Sequence, residues 1–351
     1  MELHAIRNKL RESLPSDVFQ PQPMRGIAAI LLISIVIACS WIIIQYSLPW
    51  YVYLLLSIVI GQIYTIWGFI AHEALHGAIF QSNFGQYFLG YLGYIPFLIS
   101  PLTWKFWHCQ CHHGYTNFVE RDPDFVGTIE EFSKSPVTRL RAMFTPGTHN
   151  WFSYIGFFCL FTLEGQYVLW FYKTDSDLAD KFGFNRLRAK IETILMILFW
   201  ILLGSAIGDR ASLYIIVLPM LLGNFIYVSY ILTQHLLRPT NSDVNHPLHN
   251  TITVTINPVL AFLHLNFGYH VEHHLFPSMS HQFAPLVSQA LRQNFGNEYV
   301  SLPYLTVLSL IIKTPRIHFD SETLIVPSSG QKVKLSEILS EVGRETSQPT
   351  A

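Results

Sequence analysis

Charge is scarce in this chain: only 13% of its 351 residues are Asp, Glu, Lys or Arg, against ~25% in a typical soluble domain. It has no basic excess either. The 22 Lys and Arg face 23 Asp and Glu, for a net charge of −1, which argues against nucleic acid as a partner, since that needs a positive footprint. Cysteine is rare, and Cys39, Cys109, Cys111 and Cys159 are too scattered for a disulfide scaffold. No internal repeat, low-complexity tract or Gly-rich dinucleotide loop is present. What the chain does have is apolar residues, half of the total, and 16 histidines gathered in clusters.

The apolar residues fall in long runs. From Gly26 to Ala71 there are 46 residues without a charge. One helix of that length, at ~1.5 Å per residue, overshoots a ~30 Å hydrocarbon core twofold. The run therefore reads as two spans, about 26–46 and 51–71, turning at Pro49 among the interfacial aromatics Tyr46, Trp50 and Tyr51. A second pair, about 191–208 and 211–234, breaks at Gly208-Asp209-Arg210. Arg188 and Lys190 can snorkel to lengthen the anchoring of its first member. The stretch from Asn83 to Phe106 is long enough to cross. Its Gly85, Gly90, Gly93, Pro96 and Pro101 mark it instead as a broken, re-entrant or interfacial hairpin. Trp151 to Phe171 carries Glu164 and reads as one helix lying at the interface.

The expected fold class is an all-α integral membrane protein. It has four transmembrane helices, interfacial helices and a cytosolic helical cap carrying the histidines. Arg7, Lys9, Arg11 and Arg25 precede span one, and Lys181, Arg186, Arg188 and Lys190 precede span three. The positive-inside rule then places both termini and the histidines in the cytoplasm. The expected divisions are an N-terminal segment 1–25 that is not a cleavable signal, a catalytic domain 26–295 and a C-terminal segment 296–351. The polar tail from about Arg316 is expected to fray.

The histidines form three boxes. Box one is His72-Glu73-Ala74-Leu75-His76, an i, i+4 pair on one helix face. Box two is His108-Cys109-Gln110-Cys111-His112-His113. There His108 and His112 repeat the i, i+4 pair, and His113 points about 100° from His112 on a regular helix. Box three is His270-Val271-Glu272-His273-His274, and a lone His235 closes span four. A single histidine at a membrane boundary is ordinarily an interfacial polar residue. Three boxes brought to one side are not. Neutral imidazole suits iron, zinc and copper, and nine candidate ligands exceed one coordination sphere, so two metal ions are expected. His72-Glu73-x-x-His76 also matches a zinc-hydrolase motif, but three ligands and an open position would satisfy that chemistry and leave two boxes idle.

In order and spacing, the boxes resemble those of the membrane fatty-acid desaturase family. Thr116-Asn117, Asp122-Pro123-Asp124 and Phe276-Pro277 are similar to family sequences as well, and the resemblance covers roughly residues 25–295. It implies two iron ions held by histidines, four spans with a cytosolic cap, and O2-dependent oxidation of a long acyl lipid. It also implies that His235 is a ligand. Family members carry an Asn four residues before that histidine. Here the position is Ile231, and Asn266, four before His270, is the candidate substitute. Removing hydrogen from an unactivated methylene is beyond any side chain, so a metal must carry the hard step. With no dinucleotide loop and no fused cytochrome-like domain, electrons come from a separate donor such as ferredoxin or cytochrome b5 with its reductase. A hydroxylase or ketolase of a lipid, alkane or carotenoid on the same scaffold, a zinc-dependent lipid hydrolase and a non-catalytic receptor are the alternatives.

Glu73, Glu272, Asp122 and Asp124 are candidates to orient the ligands, since metal-bound histidines donate their second N–H to a carboxylate or carbonyl. For Asp122 and Asp124 a solvated turn around Pro123 is the equal alternative. Cys109 and Cys111 read as reduced packing residues. Arg238, Lys105 and Trp104 are candidates to meet an acyl headgroup. His149, His246, His249, His264, His281 and His318 fit no box and are read as bystanders.

Overall fold

A computed structural model describes residues 2–148, 151–172, 176–240 and 245–339. Four helices in it are long and apolar enough to cross a bilayer: α2 (Pro23–Gln45), α3 (Trp50–Leu75), α5 (Arg186–Ile207) and α6 (Asp209–His235). Pro23 and Pro49 fix the starts of α2 and α3, where a missing N–H costs nothing. The turn between them is tied by Tyr53, whose hydroxyl accepts from Leu48 N at 2.8 Å and donates to Tyr46 O at 2.7 Å. Helix α5 opens on Asn185, whose side chain accepts from Arg188 N at 2.9 Å.

The 26 residues of α3 and the 27 of α6 extend ~40 Å at ~1.5 Å per residue, beyond a ~30 Å core. Each helix therefore projects past the apolar layer, and the projecting ends carry His72 and His235. In α6 the ladder widens into a π turn at Leu213–Val217. Pro219 causes it, because a proline cannot bond the carbonyl four residues back. That carbonyl, of Ile215, accepts instead from Tyr64 Oη at 3.2 Å, so the bend stitches α6 to α3. The apolar windows of α3 and α6 are each 61% buried, against 17% for α2 and 11% for α5. The histidine-bearing helices are thus the inner pair. They approach closely at Gly68, where a β-carbon would collide with the Tyr227 ring.

The hairpin expected at 83–106 is α4 (Asn83–Tyr94), a turn through Leu98 at φ 58°, and a short helix Pro101–Trp104. It packs on α3 through Gly93, which lies against the Trp67 carbonyl. The single interfacial helix expected at 151–171 is instead two pieces, Trp151–Phe158 and Leu160–Trp170, bent by 81°. Gly156 packs against the Phe144 carbonyl, and Cys159 leaves helical geometry at φ −145°. Both features fix the corner.

The cap holds two small sheets that no periodicity announced. β1 (Thr253–Thr255) pairs in parallel with β2 (Ser301–Pro303), and β3 (Ile317–His318), β4 (Thr323–Ile325) and β5 (Lys332–Lys334) form an antiparallel meander. The expectation that the chain frays from Arg316 fails for the residues described up to 339. Ile317, Leu324, Leu335 and Ile338 are buried, and Leu324, Leu335 and Ile338 share a core with Phe161 and Tyr227. Residues 340–351 lie outside the described residues. No break in packing occurs at 295, because Val307 and Ile311 belong to that core too. The N-terminal helix α1 (Leu3–Ser13) is equally built in. Ile6 and Leu10 are fully buried among Val271, Leu275 and Leu291.

Candidate metal centre

Three elements and the end of α6 converge on one point. Box one is the last turn of α3. Box two lies on a widened π turn, Lys105–His112, continued by His113–Tyr115. Box three is helix α7, His270–Leu275. The side chains sort into two groups whose donor nitrogens lie within 4.8 Å of one another: His72, His76, His108 and His273 in one, His112, His235, His270 and His274 in the other. His113 stands beside the first group, its Nε2 3.1 Å from His108 Nε2 and 2.9 Å from His273 Nε2. His72 Nε2 is 3.0 Å from His108 Nε2. In the second group, His235 Nε2 lies 3.2 Å from His112 Nε2 and 2.7 Å from His270 Nε2, and His270 and His274 approach to 3.1 Å.

His108 falls in the first group and His112 in the second, although the two also approach each other beside Asp124. The amide of His113 donates to the carbonyl of His108, an i+5 bond, so the wide turn brings His108 and His113 together and releases His112 to the other side.

These rings fit metal ions. His112 Nδ1 lies 3.0 Å from Asp122 Oδ1 and 3.1 Å from Asp124 Oδ2, and His235 Nδ1 is 3.3 Å from Asn250 O. Donating there puts the proton on Nδ1 of both rings. With both rings neutral, their Nε2 lone pairs face each other at 3.2 Å, which repels unless a metal ion or a proton sits between them. A first-row metal with bonds of ~2.1 Å to nitrogen spaces neighbouring ligands ~3.0–3.4 Å apart, close to the spacings seen. Burial, reinforced by neighbouring rings, holds His108, His113, His270, His273 and His274 well below the ordinary imidazole range, so their lone pairs are free. His112 is the exception. Burial pulls it down, but Asp122 and Asp124 outweigh that and raise it to about 9. The same negative field attracts a metal cation. Burial pushes Cys109 and Cys111 up to about 12, so without a metal both are thiols at neutral pH.

Asp122 is fully buried and anchored by the amides of Asn117 at 2.8 Å and Asp124 at 3.0 Å. Trp107 donates to Asp124 at 2.6 Å. Glu73 pairs with Arg25 and accepts from Ser280 Oγ at 2.9 Å. Glu272 faces away from the rings and accepts from Thr253 Oγ1 at 2.6 Å and from Tyr299, tying α7 to β1 rather than orienting a ligand. Asn266 donates to the His281 carbonyl at 3.3 Å, so its amide is committed to backbone. The headgroup candidates are engaged within the chain. Arg238 donates to the carbonyls of His249 and Leu248, Lys105 to Gln86 at 3.3 Å, and Trp104 stacks on His108 at 4.6 Å.

Two bystanders are not idle. His264 Nδ1 lies 2.9 Å from Tyr230 Oη, and His281 Nε2 lies 3.2 Å from His273 Nδ1. His281 sits seven residues after the last box histidine. Only the polar run Ser278-Met279-Ser280-His281 after Phe276-Pro277 hinted that the chain turns back. His149 lies outside the described residues.

A narrow cavity touches both groups and is walled by Trp107, Phe161, Tyr227, Ile231 and Phe267. It adjoins a second, apolar one past Leu160, Val228, Leu232 and Leu236. The polar Glu164 in that wall is neutralised by Arg141 at 3.1 Å.

Residues 48–306 match the fatty acid desaturase family, and the chain belongs to that family. It is 21% identical over 304 residues to the chloroplastic omega-6 fatty acid desaturase of Arabidopsis thaliana, covering 84% of this chain and 64% of that one. It is 24% identical over 130 residues to a Synechocystis sn-1 acyl-lipid omega-3 desaturase (ferredoxin), covering 37% of this chain and 36% of the relative. With the acyl-lipid (9+3)-(E)-desaturase of Dimorphotheca sinuata it shares 25% over 251 residues, 66% of this chain and 64% of that protein. The chain thus spans just over a third of the Synechocystis relative and under two thirds of the two plant proteins.

Proposed function

We propose that the protein desaturates a long fatty acyl chain in an O2-dependent reaction, with two iron ions held by His72, His76, His108, His113 and His273 on one side and His112, His235, His270 and His274 on the other. The observation that carries this reading is the pair of imidazole groups meeting at the end of an apolar cavity. In the overall reaction two vicinal hydrogens leave the chain, O2 takes two electrons and two protons, and one C=C bond and two waters result. Bound iron would supply the O2 activation and C–H cleavage that side chains cannot.

The chain's own residues bind, orient and exclude water. Phe161, Ile231, Val228 and Leu232 offer an acyl chain an apolar bed. Trp107 and Phe267 wall the reacting end, where water exclusion protects reactive species. Asp122 and Asp124 fix the His112 tautomer, so that its Nε2 lone pair faces the cavity. Electrons come from a separate donor, ferredoxin or cytochrome b5 with its reductase. An acyl lipid is the favoured substrate form, as in the names of the Synechocystis and Dimorphotheca relatives. Both termini and the histidines face the cytoplasm in this reading, supported by the basic residues before α2 and α5.

The test is expression in a host of known lipid composition with a matching donor, followed by mass spectrometry of lipids with double-bond location. A new unsaturation at one position, under air only, supports the reading. A hydroxylated or keto product moves the protein to the alternative chemistry, and unchanged lipids with an active donor overturn it.

A further inference from the structure

His281 belongs to no histidine box, yet it is fully buried, and its ring sits behind one of the box-three histidines. We propose that His281 is a positioning residue for His273, setting that ring's tautomer and angle toward the metal, with Glu73 of box one behind it. This rests on the metal-centre reading above.

The argument follows the protons. His273 presents Nε2 to the cluster, 2.9 Å from His113 Nε2. For Nε2 to offer a lone pair, the ring proton must sit on Nδ1. His281 Nε2, 3.2 Å away, is the acceptor for it. Accepting there forces the proton of His281 onto its own Nδ1. That atom is buried without a hydrogen-bond partner among the described residues and faces Glu73 Oε1 at 3.9 Å. A buried N–H without a hydrogen-bond partner costs stability, and the Glu73 carboxylate facing Nδ1 at 3.9 Å offsets part of that cost by charge and favours the required tautomer. Glu73 is itself fixed by Arg25 and Ser280. The backbone of His281 is held by Asn266 at 3.3 Å, and its ring is confined by His72 at 5.5 Å and Phe267 at 5.7 Å.

The acid of box one therefore serves a ligand of box three. The path runs Arg25–Glu73–His281–His273 and joins the start of α2, the end of α3 and the loop after α7. His112 is treated differently, with two carboxylates directly on its Nδ1. His273 receives a neutral imidazole whose supporting carboxylate is already balanced by Arg25, so no further net charge enters the centre.

The experiment uses the full chain in detergent, stripped of metal and titrated anaerobically with Co(II), with metal stoichiometry and the visible ligand-field spectrum as readouts. His281→Phe keeps a ring but removes the acceptor. His281→Gln keeps an oxygen that accepts the same N–H. Phe is expected to weaken binding of one of two ions about 10–100-fold, the usual cost of losing such a partner, and to change the spectrum. Gln is expected to restore both to near wild type. Glu73→Gln is expected to shift the spectrum in the same direction as Phe, by less. Phe with wild-type affinity and spectrum overturns the proposal. Gln as impaired as Phe overturns it too, since the ring would then only fill space. A wild-type chain that takes up no metal removes the underlying reading, and is told apart because the parent protein itself fails.

Discussion

His113 Nε2 lies 3.1 Å from His108 Nε2, although the two residues are five apart on one helical segment. On a regular α-helix such residues diverge, because neighbours on a face are three or four apart. The π turn closes the gap and sends His112 to face His235 at 3.2 Å instead. One wide turn thus lets a single segment feed both groups of histidines. π turns recur at functional sites because the extra residue re-aims side chains.

Deleting Gln110 tests this. The deletion keeps all eight box histidines and His235 but shortens the wide turn by one residue. The expected outcome is a fall from two metal ions per purified chain to one or none, measured by elemental analysis. Retention of two would show that the turn is incidental.

Asp122→Asn addresses the carboxylate behind His112. The amide keeps one acceptor oxygen, so it can hold only one of the two loop amides, Asn117 N or Asp124 N, that Asp122 holds on separate oxygens. Also lost are the negative charge and part of the preference for a proton on His112 Nδ1. Metal affinity should fall about 10–100-fold, with one ion affected more than the other. Asp124→Asn should cost less, since Asp122 remains at 3.0 Å from His112. Competitive titration against a chelator of known affinity reads both.

Much of this architecture was legible in the sequence, because its signals are long or rigidly spaced. Spans expected at about 26–46, 51–71, 191–208 and 211–234 lie within one to five residues of the helix ends observed. The three boxes announced themselves by residue type. What escaped was short or non-local. Strands of two or three residues have too few positions to show a period. The 81° corner at Cys159 arises from packing against Phe144. His281 reaches the site only because the chain reverses after Phe276-Pro277. The π turn of box two was illegible for a related reason: a period of 3.6 is the default any helical reading assumes.

Arg141→Met should destabilise the protein through a neighbouring ion pair. Arg141 neutralises Glu164 and also donates to the carbonyls of Phe125 at 3.0 Å and Pro123 at 2.5 Å. Methionine keeps the stem but strands a carboxylate in the apolar wall. Breaking a buried pair in this way costs about 3–5 kcal/mol. The loss is reduced here, because each side chain keeps 13% exposure. The thermal midpoint in detergent should drop, and the double variant Arg141→Met with Glu164→Leu should recover part of it. No recovery would assign the effect to the Phe125 and Pro123 contacts instead.

His235→Ala is the sharpest test of the ligand set, because no box contains this residue. It ends α6, it is buried, and its Nε2 stands between His112 at 3.2 Å and His270 at 2.7 Å. Alanine there leaves the apolar length of α6 untouched, so insertion into the membrane should be intact. The second group, however, would keep only His112, His270 and His274. Product per unit of inserted protein is expected to fall to background, and metal content toward one ion per chain. His249→Ala is the control, since His249 is exposed and contributes its backbone carbonyl, not its ring, to Arg238; it should retain activity. Near-normal turnover in His235→Ala would reduce the ligand set to eight and reassign His235 to packing at the end of α6.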